Sequence, residues 1–378
     1  MPPRATPPRR LGLIVNPIAG LGGRVGLRGT DGADLQRRAF ALGATAGSPP
    51  RADRALARLA AGRAALHVVT AAGSMGADLA AAHDLDPLVV GDAGERTSGR
   101  DTRRAARAME REGVELLLFA GGDGTARDIL EAIGDRVPVL GIPAGVKMRS
   151  GVFAASPEAA ADTASQYLER PSRDALRDGE VADLADEALA DDRTAGQLYG
   201  VLRVPAGSGR VLPAKSGSLA ASPAALDALC GELAGELRQR GLCILGPGTT
   251  TQRILAQLGL DGTLLGVDVV CDGELLVRDA SERDLLDVTR DRPATIVVGI
   301  IGGQGSLFGR GNQQISAEVI RRGGPDSIVI VAGLDKLQAL DPCCLHVDTG
   351  DRDVDRLLAG YRRVRYAPSM SALLNVAS

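Results

Sequence analysis

The stretch Leu116-Leu-Leu-Phe-Ala-Gly-Gly-Asp-Gly-Thr125 decides how the rest of the chain is read. Its apolar half is a strand with no polar face, the pattern of a strand buried on both sides in a parallel sheet. The run then breaks on two glycines, an Asp, a third Gly and a Thr, and Thr125 to Ile133 has helical character. Glycines admit positive φ and let backbone N–H groups come close to an anion. The first turn of the helix adds unpaired N–H groups and a positive dipole end. Gly121, Gly122, Gly124 and Thr125 are therefore a candidate phosphate cradle. Asp123 stands at its tip, where a carboxylate repels phosphate unless its charge has a use. Two uses fit: taking the proton of an attacking hydroxyl, or holding Mg²⁺ that bridges phosphates. A plain strand–turn–helix corner with Asp as a cap is the structural alternative.

Outward from this point the same alternation repeats. Leu11–Val15, Leu66–Thr70, Leu88–Gly91 and Val137–Ile142 read as strands. Helical patterns fall at 74–84, 101–112 and 157–168, with Asp101 as the expected N-cap of the second. The fold class is α/β: an N-terminal Rossmann-like parallel sheet with helices on both faces, whose ligands sit at the carboxyl ends of the strands. A polar, acidic stretch over 169–192 separates this half from a second, mixed α/β domain. The expected divisions are a disordered Pro/Arg-rich arm at 1–10, the sheet domain at 11–170 and the second domain at 171–378. In the latter, strands are expected at 197–205, 242–245, 263–271, 294–301, 327–332, 345–347 and 362–367, and a long helix at 224–240.

Composition narrows the partners. The 378 residues carry a formal charge of −3, and 44% are apolar. No global basic field draws the chain to nucleic acid. With four Phe, four Tyr and no Trp, stacking on bases is not expected either. No apolar run reaches the roughly 18 residues of a membrane span. The five cysteines and three histidines show no zinc-site spacing. Reduced thiols and a cytoplasmic location are the expectation. The chain has three lysines, Lys147, Lys215 and Lys336, against 44 Lys plus Arg in total. Lys147 follows the strand ending at Ile142, and Lys215 lies in Pro-Ala-Lys-Ser-Gly-Ser, so both are candidate phosphate contacts. Lys336 reads as an ordinary surface residue. Asp183, Asp186 and Glu187 form an acidic patch that fits a solvated helix face better than a metal site.

Further candidates come from turns. Gly246-Pro-Gly-Thr-Thr-Thr251 joins a short strand to a helix, and Gly248, Thr249, Thr250 and Thr251 can cap that helix or bind phosphate. Gly302 to Gly311 holds five glycines and Arg310, whose guanidinium forks onto phosphate. Gly302, Gly303, Gly305, Arg310 and the following Asn312 are candidates on that ground. No Walker A motif occurs, because no Gly-Lys dipeptide exists.

Gly-Gly-Asp-Gly-Thr after an apolar strand resembles the signature of the NAD kinase, diacylglycerol/sphingosine kinase and phosphofructokinase-like superfamily. Four other stretches narrow the resemblance: Gly141-Ile-Pro-Ala-Gly-Val-Lys147, Gly246-Pro-Gly-Thr-Thr-Thr251, Leu264-Leu-Gly-Val-Asp268, and Gly302-Gly-Gln-Gly305 running on through Phe308-Gly-Arg-Gly-Asn-Gln-Gln314. Together they are similar to the ATP-NAD kinase family, in its AcoX-like branch, over 11–367. Asn16-Pro-Ile-Ala-Gly20 resembles the superfamily's Asn-Pro-x-Ala-Gly turn near the donor phosphates. The resemblance implies a kinase that phosphorylates the adenosine-ribose 2′-hydroxyl of NAD to make NADP. ATP or polyphosphate would be the donor, with Mg²⁺ or another divalent cation. Asp123 would be the general base. The expected partners are NAD and ATP as small molecules and further copies of the chain in a homo-oligomer. One departure stands out. NAD kinases carry an Asn-Glu pair after the first motif, whereas none of Asn16, Asn312 and Asn375 here precedes a Glu. The dinucleotide site is then built differently, or the acceptor is another molecule. A lipid or other small-molecule kinase and an inactive nucleotide-binding regulator are the alternatives.

Overall fold

The computed structural model describes residues 9–27, 33–62, 66–91, 97–145, 148–184, 196–206, 223–301, 305–340 and 344–377. They fall into two compact units. The first is drawn from 1–21, 45–185 and 195–208, and the second from 22–44, 186–194 and 209–378.

The first unit is built on β1 (Arg9–Val15), β2 (Leu66–Thr70), β3 (Leu88–Val89), β4 (Leu116–Gly121) and β5 (Val139–Pro143). They lie in the order β3-β2-β1-β4-β5, and every pairing is parallel. The apolar runs explain the two central strands: Leu11, Leu13, Ile14 and Val15, and Leu116 through Ala120, are fully buried. The helices of this half of the chain are α1 (Ala33–Ala41), which goes with the second unit, α2 (Ser48–Ala60), α3 (Ala77–Ala82), α4 (Gly99–Arg111), α5 (Asp123–Ile133) and α6 (Pro157–Glu169). α2 packs against α6 and α4 against α5. Arg54 forks onto Glu158 with both bonds at 2.9 Å, and Arg58 meets Asp162 at 2.7 Å, so charge pairs tie α2 to α6. α4 starts earlier than the sequence suggests. Ser98 is its N-cap, and Asp101 sits three residues on, accepting from the Ser98 N–H and hydroxyl at 2.8 Å each. Asp101 is thus the reciprocal half of a capping box rather than the cap itself.

The stretch expected to be a polar boundary contains β6 (Leu176–Leu184), which pairs antiparallel with β7 (Gly196–Pro205). Its alternating pattern hid it, since one face is polar. Val181 of β6 and Leu202 and Val204 of β7 are fully buried in the first unit's core, so the hairpin belongs there and not to the second half. A connector joins the hairpin to the parallel sheet. Gly141 donates to Val152 O at 2.8 Å and Ala154 to Gly141 O at 2.9 Å, while Gly151 donates to Glu180 O at 2.8 Å. Residues 150–154 therefore bridge β5 and β6.

The second unit carries α7 (Pro223–Leu237), β8 (Leu242–Leu245), α8 (Thr249–Leu258), β9 (Asp268–Cys271), β10 (Glu274–Val277), α9 (Glu282–Val288), β11 (Thr295–Gly299), β12 (Ser306–Phe308), α10 (Ala317–Gly323), β13 (Ile328–Val331), α11 (Leu334–Gln338), β14 (Cys344–Val347), α12 (Arg352–Leu358), β15 (Gly360–Ala367) and β16 (Met370–Ala377). Its nine strands run β10-β9-β8-β11-β13-β15-β16-β14-β12 in one mixed sheet. β8, β11, β13 and β15 are parallel neighbours. Period-2 alternation splits the core in two. Ile244, Ile296 and Val298 pack with α10 in one cluster, and Cys243, Leu245 and Val297 pack with α7 and α8 in the other. The strand expected over 263–271 begins only at Asp268, because Asp268 turns back to accept from the Thr263 N–H and hydroxyl at 2.7 and 2.9 Å.

Candidate active site

In the first sheet, the chain leaves β1 and β4 toward opposite edges. The carboxyl ends of these neighbours therefore flank a crevice, the usual ligand position in an open α/β sheet. Asn16, just past β1, spans it. Its side-chain amide donates to Thr125 Oγ1 at 3.0 Å, and its carbonyl oxygen accepts from the Ile18 N–H at 3.3 Å. Past β4, a Cβ on Gly121 would stand 2.5 Å from Thr125 Oγ1, and one on Gly122 would stand 3.0 Å from Gly145 Cα. The two glycines are thus needed so that the first turn of α5 and the segment after β5 can close on each other. Gly122 is the N-cap of α5 and offers no side-chain cap, which leaves the first-turn N–H groups of Asp123, Gly124 and Thr125 available to an anion.

Asp123 is 5% exposed. Its carboxylate accepts from the backbone N–H of Arg149 at 2.6 Å and of Ser150 at 3.1 Å. Burial pushes its pKa up to about 6, and the Asp183 charge adds to the rise, against the pull of the bonds from Ser150 and Arg149. An ionised carboxylate with a proton affinity near neutrality is matched to general-base work. The Ser150 hydroxyl in turn donates to Ala182 O at 3.0 Å and accepts from the Ala182 N–H at 3.1 Å, which pins the segment holding the carboxylate to β6. Asp183 lies on this strand, not on a solvated helix face. It pairs with Arg127 of α5 at 3.4 Å, and that guanidinium sits 5.1 Å above the Tyr199 ring. Asp186 and Glu187 lie outside the described residues.

The remaining candidates divide by unit. Lys147, Lys215, Gly302 and Gly303 lie outside the described residues. In the second unit, Gly248 has φ 137° and caps α8 without a side chain. Thr249 is exposed at the helix start. Thr250 and Thr251 are buried, and the Thr251 hydroxyl donates to Gly248 O at 2.9 Å, closing the turn. Gly305 has φ 72° and accepts the His346 N–H at 2.9 Å. Asn312 is fully buried: its amide donates to Leu307 O at 2.8 Å and accepts from the Gly309 N–H at 3.1 Å, so it braces the glycine-rich loop from within. Arg310 stands close enough to His346 to lower the imidazole's pKa, secondary to burial. The structure therefore brings Asn16, Gly121, Gly122, Asp123, Gly124 and Thr125 together in one unit. It adds Arg149, Ser150 and Asp183, of which the sequence had singled out Asp183 alone. Arg149 acts on Asp123 through its backbone N–H, which leaves no mark in residue identity, and Ser150 through its backbone N–H and its side chain.

The model of the ATP-NAD kinase N-terminal domain matches residues 11–171, and that of the ATP-NAD kinase C-terminal domain matches residues 241–376. The chain belongs to the ATP-NAD kinase family. Its first matched segment contains both Asn16 and the Asp123 turn, and its second contains the Gly248–Thr251 turn and the glycine-rich loop. No curated protein and no solved structure matches the chain. Among the described residues no helix is long and apolar enough to cross a membrane, and no three His, Cys, Asp or Glu side chains group as a metal site.

Proposed function

We propose that this ATP-NAD kinase family member transfers a phosphoryl group from ATP or polyphosphate to the 2′-hydroxyl of NAD, with Asp123 as the general base. The observation that carries the reading is the Asp123 carboxylate. It is withdrawn from water, fixed by two N–H groups and set beside an uncapped helix start at the carboxyl ends of β1 and β4. The acceptor hydroxyl gives its proton to the carboxylate as its oxygen attacks the terminal phosphorus. The bond from that phosphorus to the bridging oxygen breaks, and ADP or the shortened polyphosphate leaves. The helix-start N–H groups and the glycine turn hold the transferring phosphoryl group.

A divalent cation belongs to this chemistry, and the donor set bears on how it enters. Both Asp123 oxygens already accept hydrogen bonds, and Asp183 is engaged by Arg127. Mg²⁺ binds through few carboxylates and keeps substrate phosphates as ligands. A divalent cation would on this reading enter with the donor phosphates and supply charge neutralisation there.

The test is incubation with Mg²⁺, NAD and either ATP or polyphosphate, with NADP read by an NADP-specific dehydrogenase. NADP formation supports the reading. Phosphorylation of another hydroxylated acceptor in place of NAD, one of the two alternatives that the absent Asn-Glu pair leaves open, transfers it to a different small-molecule kinase. No phosphorylation of any acceptor marks a nucleotide-binding regulator.

A further inference from the structure

Two helices start at the carboxyl ends of the first sheet, and they reach it from opposite faces. β1 connects to β2 on one side of the sheet and β4 to β5 on the other. Crossovers between parallel strands are right-handed, so α2 and α5 cover different faces. The packing agrees: α2 lies against α6, and α5 against α4. α5 offers backbone N–H groups at its start. α2 does not, because Pro49 and Pro50 have no N–H and the Ser48 N–H is spent on Ala19 O at 3.1 Å. What α2 brings to this end of the sheet is a side chain, that of Arg51.

The start of α2 is fixed at the strand ends. The fully buried Ser48 hydroxyl donates to Ala120 O of β4 at 3.0 Å, and the same carbonyl accepts from the Asn16 N–H at 2.9 Å. Three residues on, Arg51 Nη1 donates to Pro143 O at 2.9 Å. Pro143 is the last residue of β5 and lies in register with Gly121, the last of β4. The next residue, Ala144, donates to Gly121 O at 2.9 Å. The turn after β1 closes on the same segment, since a Cβ on Gly20 would collide with Ala144 O. The guanidinium therefore stands beside the residues that pack onto the Gly121–Thr125 turn. Arg54 and Arg58, further along α2, go instead to Glu158 and Asp162 of α6. An Arg side chain carries five N–H donors in a planar fork. The bond to Pro143 fixes the direction of that fork, whose geometry matches the edge of a phosphate. Nothing in the sequence marked Arg51, because arginine is the common cation of this chain.

We propose that Arg51 is a donor-binding residue, whose guanidinium takes a phosphate oxygen of the phosphoryl donor at the carboxyl ends of β4 and β5. The proposal rests on the kinase reading above and adds to it a cation for the donor. The α5 N–H groups meet the phosphate chain from one face of the sheet and Arg51 from the other. A charged hydrogen bond of this kind is worth about tenfold or more in affinity.

Calorimetric titration of the full chain with inorganic tripolyphosphate, with ATP and with NAD, each with Mg²⁺, tests it beside Arg51→Gln and Arg51→Lys. Gln keeps a donor for the Pro143 carbonyl and loses the charge, and Lys keeps the charge and loses the fork. The expected result for Arg51→Gln is a Kd raised about tenfold for tripolyphosphate and for ATP, with NAD affinity and thermal unfolding unchanged. A rise below threefold for both donors overturns the proposal, and so does a parent chain that binds neither. A role confined to holding Pro143 would lower the unfolding temperature and leave tripolyphosphate affinity alone, which also overturns it. A weakening seen with NAD only moves the contact to the acceptor and overturns the donor assignment. If Arg51→Gln does not fold, Arg51→Lys decides by the same threefold limit. Titrations need no turnover, so the two readings fail separately. A chain that binds tripolyphosphate through Arg51 but makes no NADP keeps this site and loses the NAD kinase assignment.

Discussion

Asp123 combines deep burial with two backbone donors, and each property has its own experimental trace. Asp123→Asn keeps the shape but cannot take up a proton. Its kcat should fall by about 10² to 10⁴ with circular dichroism unchanged; a variant retaining half the activity would remove Asp123 from the base role. On the proposed reading Asp123 works ionised, so kcat/KM should fall as pH drops through about 6, to which burial raises its pKa. Asp183→Asn removes a nearby like charge and should move this acid limb to lower pH. A limb that stays in place would deny the coupling. The same titration can be followed without substrate in the amide resonances of Arg149 and Ser150, whose protons are donated to the carboxylate. The sequence disclosed Asp123 because Gly-Gly-Asp-Gly-Thr is written in side chains. Arg149 was illegible because every residue but proline has a backbone N–H, and Ser150 because nothing in the sequence places it beside Asp123. Asn312 was legible as a candidate beside Arg310, but its use inside the loop follows only from its burial and its bonds to Leu307 and Gly309.

At the scale of elements, the connector over 150–154 depends on Gly141. A Cβ there would collide with the Phe153 ring, which also sits 5.4 Å from Phe119. Gly141→Ala should push the ring out and loosen both the β5 pairing and the segment that holds Asp123. Overpacking of this kind costs about 1–3 kcal/mol, measurable by urea denaturation, and kcat should fall with it. Unchanged stability and rate would mean that the connector is pliant. The apolar runs of β4, β5 and the Leu11–Val15 part of β1 were readable because they are buried on both faces, and β2 through its Val68–Val69 centre. β6, β10, β12 and β16 were not: their exposed or short runs lack that pattern, and pairing makes them strands, β10 with β9 and β16 with β15 across tight turns, β6 with β7, and β12 with the distant β14.

At the scale of the molecule, two α/β units were foreseeable from length and from the strand–helix alternation. The assignment of the β6–β7 hairpin was not, since it rests on where Val181, Leu202 and Val204 are buried. A chain that binds NAD only when folded should unfold later in its presence. At about 100 times Kd the gain is about 2.7 kcal/mol, seen as a raised Tm, and no shift with NAD at any concentration would contradict the acceptor assignment. β1, the earliest of the described strands, is also the central one of its sheet. β1 pairs with β2 from Leu66 and with β4 from Leu116, so its second edge stays open until some hundred further residues exist. At roughly 5–20 residues per second, a ribosome needs about 5 to 20 s to supply the missing neighbour. For that time the apolar run Leu11–Val15 keeps one edge unpaired on the nascent chain, so binding by chaperones is expected to be strongest at this early stage of synthesis.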